Sequence, residues 1–176
     1  GLERVDRLND LSKAYWGVSS EQTIAQADAA LALARDLDYP TGIATALRHR
    51  GIGYWYQDDY QAALDHVQQA LKIFEAIGDD QGIAGCLSTI GTIYLNLERF
   101  DRALATYQEA LALAEKIGDQ NRIGILLSNI GTTYLGLDQP EQALLQFERA
   151  LAILQTQGSQ LDILTALGNI GGAQRR

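Results

Sequence analysis

Apolar residues recur along this chain at spacings of three and four, and the arrangement then repeats as a block. Ile83, Leu87, Ile90 and Tyr94 form one such stripe, which predicts an amphipathic helix from about Gln81 to Leu97. A polar break follows at Glu98-Arg99. Ala103, Leu104, Tyr107, Ala110, Leu111 and Leu113 make a second stripe, and Asp101 is its expected N-cap. Ile117-Gly118-Asp119 closes it, because Gly takes the left-handed conformation that ends helices. Residues 80–119 therefore read as two helices joined by a tight turn.

The same block is written again on both sides. Ile90-Gly91-Thr92-Ile93-Tyr94 returns as Ile130-Gly131-Thr132-Thr133-Tyr134, with Gly51 and Tyr54 one period earlier and Ile170-Gly171 one period later. Ala63-Leu64, Ala103-Leu104 and Ala143-Leu144 repeat in the second half, as do Ala70-Leu71, Ala110-Leu111 and Ala150-Leu151. Gly78 and Gly158 stand in register with Gly118. A fixed period of about 40 residues marks a stacked array, in which each unit buries its apolar face on its neighbours. The units run over about 4–39, 40–79, 80–119 and 120–159, with a partial unit at 160–176, and are expected to form one domain over 1–176.

The first unit departs from the pattern. Ser12 stands where Gly is expected, the inner turn is one residue shorter, and Ser19-Ser20-Glu21-Gln22 reads as a helix start with a capping box. Pro40 and Pro140 fall at junctions or turns, where a missing N–H does least harm.

Composition narrows the function classes. The 176 residues carry 22 acidic and 14 basic side chains, a net charge of −8, with no run of Lys or Arg. That balance excludes the electrostatic footprint of a nucleic-acid or anionic-membrane binder. One cysteine, Cys86, permits no disulfide within the chain, which suits a reducing, cytoplasmic setting. No apolar run reaches the ~18 residues of a membrane span. The Gly1 start and the absence of Met lead us to expect a segment of a longer protein.

These residues resemble the tetratricopeptide repeat. Its first helix carries a small residue followed three positions on by Tyr, matched at Gly51/Tyr54, Gly91/Tyr94 and Gly131/Tyr134. Its second helix opens on Ala, matched at Ala63, Ala103 and Ala143. An aromatic four residues later is matched at Tyr107 and Phe147, with Val67 the exception, and a second Ala follows at Ala70, Ala110 and Ala150. The usual period is about 34 residues, so the helices here are longer. Glu75, Glu115 and Gln155 replace the late Pro. The chain resembles a forty-residue, Gly-rich subclass found in Pins-type adaptors. It is also similar to bacterial repeat regions that precede cyclase or histidine-kinase modules. The resemblance implies an all-α, right-handed superhelical solenoid of antiparallel helix pairs: four helical hairpins plus a terminal helix.

It also implies where a ligand sits. In the family the first helices line a concave groove, which carries over to Arg48, His49, Ile52 and Tyr56. Ser88, Thr89, Thr92 and Asn96 follow, then Ser128, Asn129 and Thr132, and finally Thr165 and Asn169. Asn9, Asp10 and Lys13 belong to the first unit. This strip is polar but scarcely charged, and Asn and Thr side chains suit the backbone of an extended peptide. Asn129 and Asn169 carry most weight. The family's clamp for acidic C-terminal tails is matched only in part by Arg48 and Asn129, and Asp6 and Asp10 would oppose such a tail.

Catalytic chemistry has little to stand on. His49 and His66 lie on different helices, with no Cys or carboxylate spacing that makes a metal set. Asp58-Asp59 and Asp79-Asp80 read as helix caps, Cys86 falls on the buried stripe, and Trp16 and Trp55 read either as packing residues between units or as binding anchors. The periodic glycines are expected to let helices approach closely, since Gly inside a helix otherwise costs about 1 kcal/mol.

The expected function is a non-catalytic interaction module that holds a protein or peptide partner, with no cofactor, metal, nucleic acid or membrane. Two alternatives stand beside it. One is a sensory or regulatory input segment of a larger signalling protein. The other is self-association, as a homodimer, through Ile163, Leu167 and Ile170 on an uncapped end helix.

Overall fold

The structure, a computed structural model, describes residues 1–157 and 168–173. Among them the regular structure is entirely helical. The chain divides into two units, residues 1–93 and 94–176. The first holds α1 (Leu2–Ala14), α2 (Ser20–Asp36), α3 (Pro40–Trp55), α4 (Tyr60–Ile77) and most of α5 (Asp80–Asn96). The second holds α6 (Phe100–Ile117), α7 (Gln120–Gly136), α8 (Pro140–Gln157) and helical residues 168–173.

Successive helices pack on one another within each unit. α1 packs on α2, α2 on α3 and α3 on α4, and α1 also touches α3; α6 packs on α7, and α7 on α8. This is the helix-pair repeat that the periodicity predicts. The core sits along one stripe of each second helix, with side chains four, seven and eleven positions on from the first. Ala63, Val67, Ala70 and Phe74 line it on α4, Ala103, Tyr107, Ala110 and Ala114 on α6, and Ala143, Phe147, Ala150 and Leu154 on α8. All are at most 3% exposed.

The close approach at Gly51 explains the periodic glycine. A Cβ there would lie 2.5 Å from Val67 Cγ2 and 2.9 Å from the Ala63 carbonyl oxygen. Gly131 meets Phe147 in the same way, at 2.5 Å from its ring edge. The steric need therefore outweighs the propensity loss.

A left-handed residue recurs at the turns. Between pairs it is Asp38, Gly78 and Gly118, with φ of 47°, 71° and 80°. Within pairs it is Gly17, Asp58, Glu98 and Asp138, with φ of 70°, 59°, 55° and 58°. At six of these turns the next N–H reaches back to close the helix. Asp59 donates to the Tyr54 carbonyl at 3.0 Å, Arg99 to Tyr94 at 2.9 Å and Gln139 to Tyr134 at 2.9 Å. Tyr39, Asp79 and Asp119 donate likewise to Ala34, Phe74 and Ala114, at 2.9, 3.0 and 3.0 Å. These are Schellman closures. The repeated Tyr thus supplies the carbonyl that ends its own helix.

Side-chain caps start α2, α4, α5 and α7. Ser19 Oγ accepts from Gln22 N at 3.2 Å, Asp59 from Ala62 N at 3.0 Å, Asp79 from Gly82 N at 2.9 Å and Asp119 from Arg122 N at 3.0 Å. Asp101 is not the N-cap of α6. The left-handed Glu98 starts the helix earlier, so Arg99 is the N-cap, without a side-chain bond, and Asp101 lies in the first turn. Pro40 and Pro140 each open a helix. Gly158 lies outside the described residues.

Candidate functional site

The groove candidates of the first unit come from α1, α3 and α5. On α5, Ser88, Thr89 and Thr92 are half-buried. The two threonine hydroxyls turn back on the helix: Thr89 donates to the Gly85 carbonyl and Thr92 to the Ser88 carbonyl, both at 3.0 Å. A hydroxyl used this way keeps only its acceptor lone pairs for a ligand. On α1, Asp10 and Lys13 are exposed. Tyr56, just past α3, is 43% exposed, and burial of the rest of its ring pushes the phenol pKa up.

His49 does not belong to an exposed strip. Its side chain is 2% exposed, and Ile52 beside it is 6% exposed. The imidazole lies against the Asn9 backbone of α1. Trp16 closes over it edge-on, with ring centroids 5.0 Å apart at 87°, and Arg48 lies 5.7 Å above the Trp16 ring. Burial, and then the Arg48 charge, hold the His49 pKa down to about 3, so the ring is neutral. Asn9 is equally buried, and its Nδ2 donates to the Gly42 carbonyl at 3.4 Å. The sequence carried one sign of this cluster, a Trp at the end of the first helix, but not its target.

His66 forms a separate group on α4. It stacks on Tyr54 at 5.3 Å, and Arg50 both approaches that ring at 5.9 Å and pairs with Asp28 at 3.3 Å. Burial, followed by Arg50, lowers the His66 pKa. Cys86 is fully buried, as expected of a core residue. No group of three His, Cys, Asp or Glu among the described residues is placed to hold a metal ion.

In the second unit the candidates come from α7. Ser128 and Asn129 are half-buried and Thr132 is exposed. Ser128 donates to the Gly124 carbonyl and Thr132 to the Ser128 carbonyl, both at 3.1 Å. The Asn129 backbone carbonyl accepts from Thr133 Oγ1 at 2.8 Å, whereas its side-chain amide makes no such bond to its own helix. Asn129 thus carries both a donor and an acceptor at the surface, flanked by hydroxyls whose donors are spent. Asn96 is exposed and Asn169 half-buried. Thr165 lies outside the described residues.

Of the self-association candidates, Ile170 lies among the described residues. Ile163 and Leu167 lie outside the described residues. Ile170 is not uncovered: it packs against Ala143, Phe147 and Ala173, beside Tyr134 and Leu135. It faces the preceding pair because apolar burial on α7 and α8 is available there.

Two surface concavities are lined mainly by turn residues. One, of about 340 Å³, is lined by Glu98, Arg99, Phe100, Asp101, Arg102 and Leu137. The other, of about 270 Å³, is lined by residues 17–21 and Tyr56. Both mix turn backbone with exposed side chains, and neither gathers a reactive pair. No described helix is long and apolar enough to cross a membrane.

Residues 83–156 match the family model of the tetratricopeptide repeat. Comparison with curated proteins gives no match. Among solved structures the chain is similar to BtubC (BKLC) from P. vanneervenii, at 22% identity and a TM-score of 0.80, over 99% of this chain and 72% of that one. It is similar to aspartyl phosphate phosphatase F from Bacillus subtilis, at 16% identity and 0.83, over 93% and 43%. A third is a signal transduction ATPase with numerous domains from Pyrococcus horikoshii, which has a tetratricopeptide repeat sensor; the values are 19% and 0.78, over 96% and 26%. These likenesses establish the fold as a tetratricopeptide-like helical repeat. The chain spans less than half of the second and third proteins.

Proposed function

We propose that this chain is a non-catalytic binding module that holds a protein or peptide partner on its first helices. The observation that carries the reading is Asn129 on α7. Asn129 is half-buried, and Ser128 and Thr132 beside it offer acceptors only. A side chain that both donates and accepts matches the repeating N–H and C=O of an extended peptide. Asn169 extends the reading in the same unit, and Ser88, Thr89 and Thr92 give α5 the same polar character. Arg48 and Tyr56 remain candidates; His49 does not. The glycine contacts at Gly51 and Gly131 favour the Gly-rich subclass as the family variant.

A peptide-display screen against the chain tests this, followed by the Asn129→Ala/Asn169→Ala double variant. Selected peptides should lose at least tenfold in affinity while the circular dichroism spectrum stays unchanged. Full affinity in the folded variant would remove these residues from the site.

A regulatory input role in a longer signalling protein is the second reading. It is favoured by likeness to an ATPase whose own repeat region is a sensor. The coding sequence flanking residues 1–176 decides it: an adjoining signalling domain supports the reading, and its absence removes it.

A further inference from the structure

α1 is held differently from the helices around it. Its buried residues are Val5, Asn9 and Ser12, so two of the three are polar. On α4 the buried residues are Ala63, Leu64, Val67, Ala70 and Phe74, all apolar. Apolar burial is the main resistance to local opening, and elements that lack it open first. Hydrogen bonds dock α1 instead. Ser12 Oγ donates to the Thr23 carbonyl at 2.7 Å and Asn9 Nδ2 to the Gly42 carbonyl at 3.4 Å, and the buried His49 imidazole of α3 lies against the Asn9 backbone.

The His49 contact is the one that chemistry can switch. The ring is sealed by Trp16, and its Nδ1 has no partner among the described residues. The charged groups that face it are Arg48 of its own helix and Lys13 of α1, both cations. A proton there would add a third positive charge to a site shielded from water, and an N–H without an acceptor.

We propose that α1 is a releasable latch on α3, docked through an uncharged His49 and let go when that imidazole takes a proton. Once α1 lifts, His49 is hydrated and takes the proton freely. Mild acid therefore favours the open form, and neutral pH restores the docked one. The face of α3 around Gly42 and His49 is uncovered only in the open form.

Hydrogen exchange of the whole chain at pH 7 and pH 5, corrected for intrinsic rates, tests this. Protection in α1 should fall by roughly 25-fold, the ratio set by an imidazole that titrates near 6.5 only when released. Protection in α7 and α8 should hold. The fall should vanish in His49→Gln and persist in His66→Gln. Unchanged protection of α1 in the native chain, an equal fall in α7 and α8, or a fall that survives in His49→Gln overturns the latch. If His49→Gln does not fold, His66→Gln decides, because His49 is then the only histidine of the two in the chain. Loss of the fall in that variant overturns the proposal.

Discussion

The Ser12 hydroxyl donates to the Thr23 carbonyl at 2.7 Å, with both side chains fully buried. One repeat later the same place is taken by Gly51, whose α-carbon faces the Ala63 carbonyl. The array thus solves one close approach in two ways. Glycine removes the side chain, and serine turns the contact into a hydrogen bond. Ser12→Ala should cost about 1 kcal/mol, the net worth of one buried hydrogen bond. Urea unfolding measures it; an unchanged midpoint would mean that the bond contributes nothing.

Gly51→Ala should destabilise, although Ala gains about 1 kcal/mol of helix propensity over Gly. The added methyl meets the Ala63 carbonyl oxygen at 2.9 Å, and backbone does not yield cheaply. Overpacking of this kind costs about 1–3 kcal/mol. Thermal unfolding should show a lower midpoint; a higher one would show that the helices can part without loss.

Arg99 stands at the α6 N-cap without a side-chain bond, forty residues after Asp59, which caps α4 at 3.0 Å. Arg99→Asp should therefore stabilise by about 1 kcal/mol through a new cap and a better fit to the helix dipole. The converse change, Asp59→Ala, should lose a similar amount. Equal stability of all three proteins would show that capping does not limit this array.

Glu98 is exposed and left-handed, with φ 55°. A residue with a Cβ spends about 1–2 kcal/mol there, of which Gly recovers part after its greater chain entropy is counted. Glu98→Gly should raise stability by about 0.5–1 kcal/mol. Gly78→Ala at φ 71° should lower it by about 1 kcal/mol, since space is open there and only the backbone objects.

Stability of the first unit, residues 1–93, should fall in mild acid. The folded His49 pKa is depressed to about 3, below the ordinary 6.5, because burial opposes the charge. The unfolded chain thus binds a proton that the folded chain refuses. The stabilisation from neutral His49 is present above pH 6.5 and is lost as pH falls towards about 3. The slope contributed is at most about 1.4 kcal/mol per pH unit. Denaturant unfolding at pH 7, 6 and 5 reads it, and His49→Gln should flatten it.

Helices, turns and core stripes were legible because they depend on short-range chemistry that the repeat writes several times. Ala63, Ala103 and Ala143 announce the same buried face, and Asp59 and Asp79 announce helix starts. Asp101 misled because it too sits at the front of a stripe. Only the backbone showed that the left-handed Glu98 begins the helix earlier. A polar surface on α7 was also legible, since Ser128, Asn129 and Thr132 share a face at helical spacing.

What periodicity cannot carry is what a neighbouring segment lays on a given position. His49 occupies the same register as Thr89 and Asn129, both half-buried, and the repeat alone assigns all three to one surface. The fold then brings Trp16 over His49 and leaves Asn129 half-buried. Ile170 likewise reads as part of an exposed end until it is found against Phe147. Sequence by itself determined the helices, their order and the faces that each must bury, because those follow from local periodicity and capping. Tertiary structure alone decided which polar side chains meet water, because that depends on atoms brought in from other helices and turns.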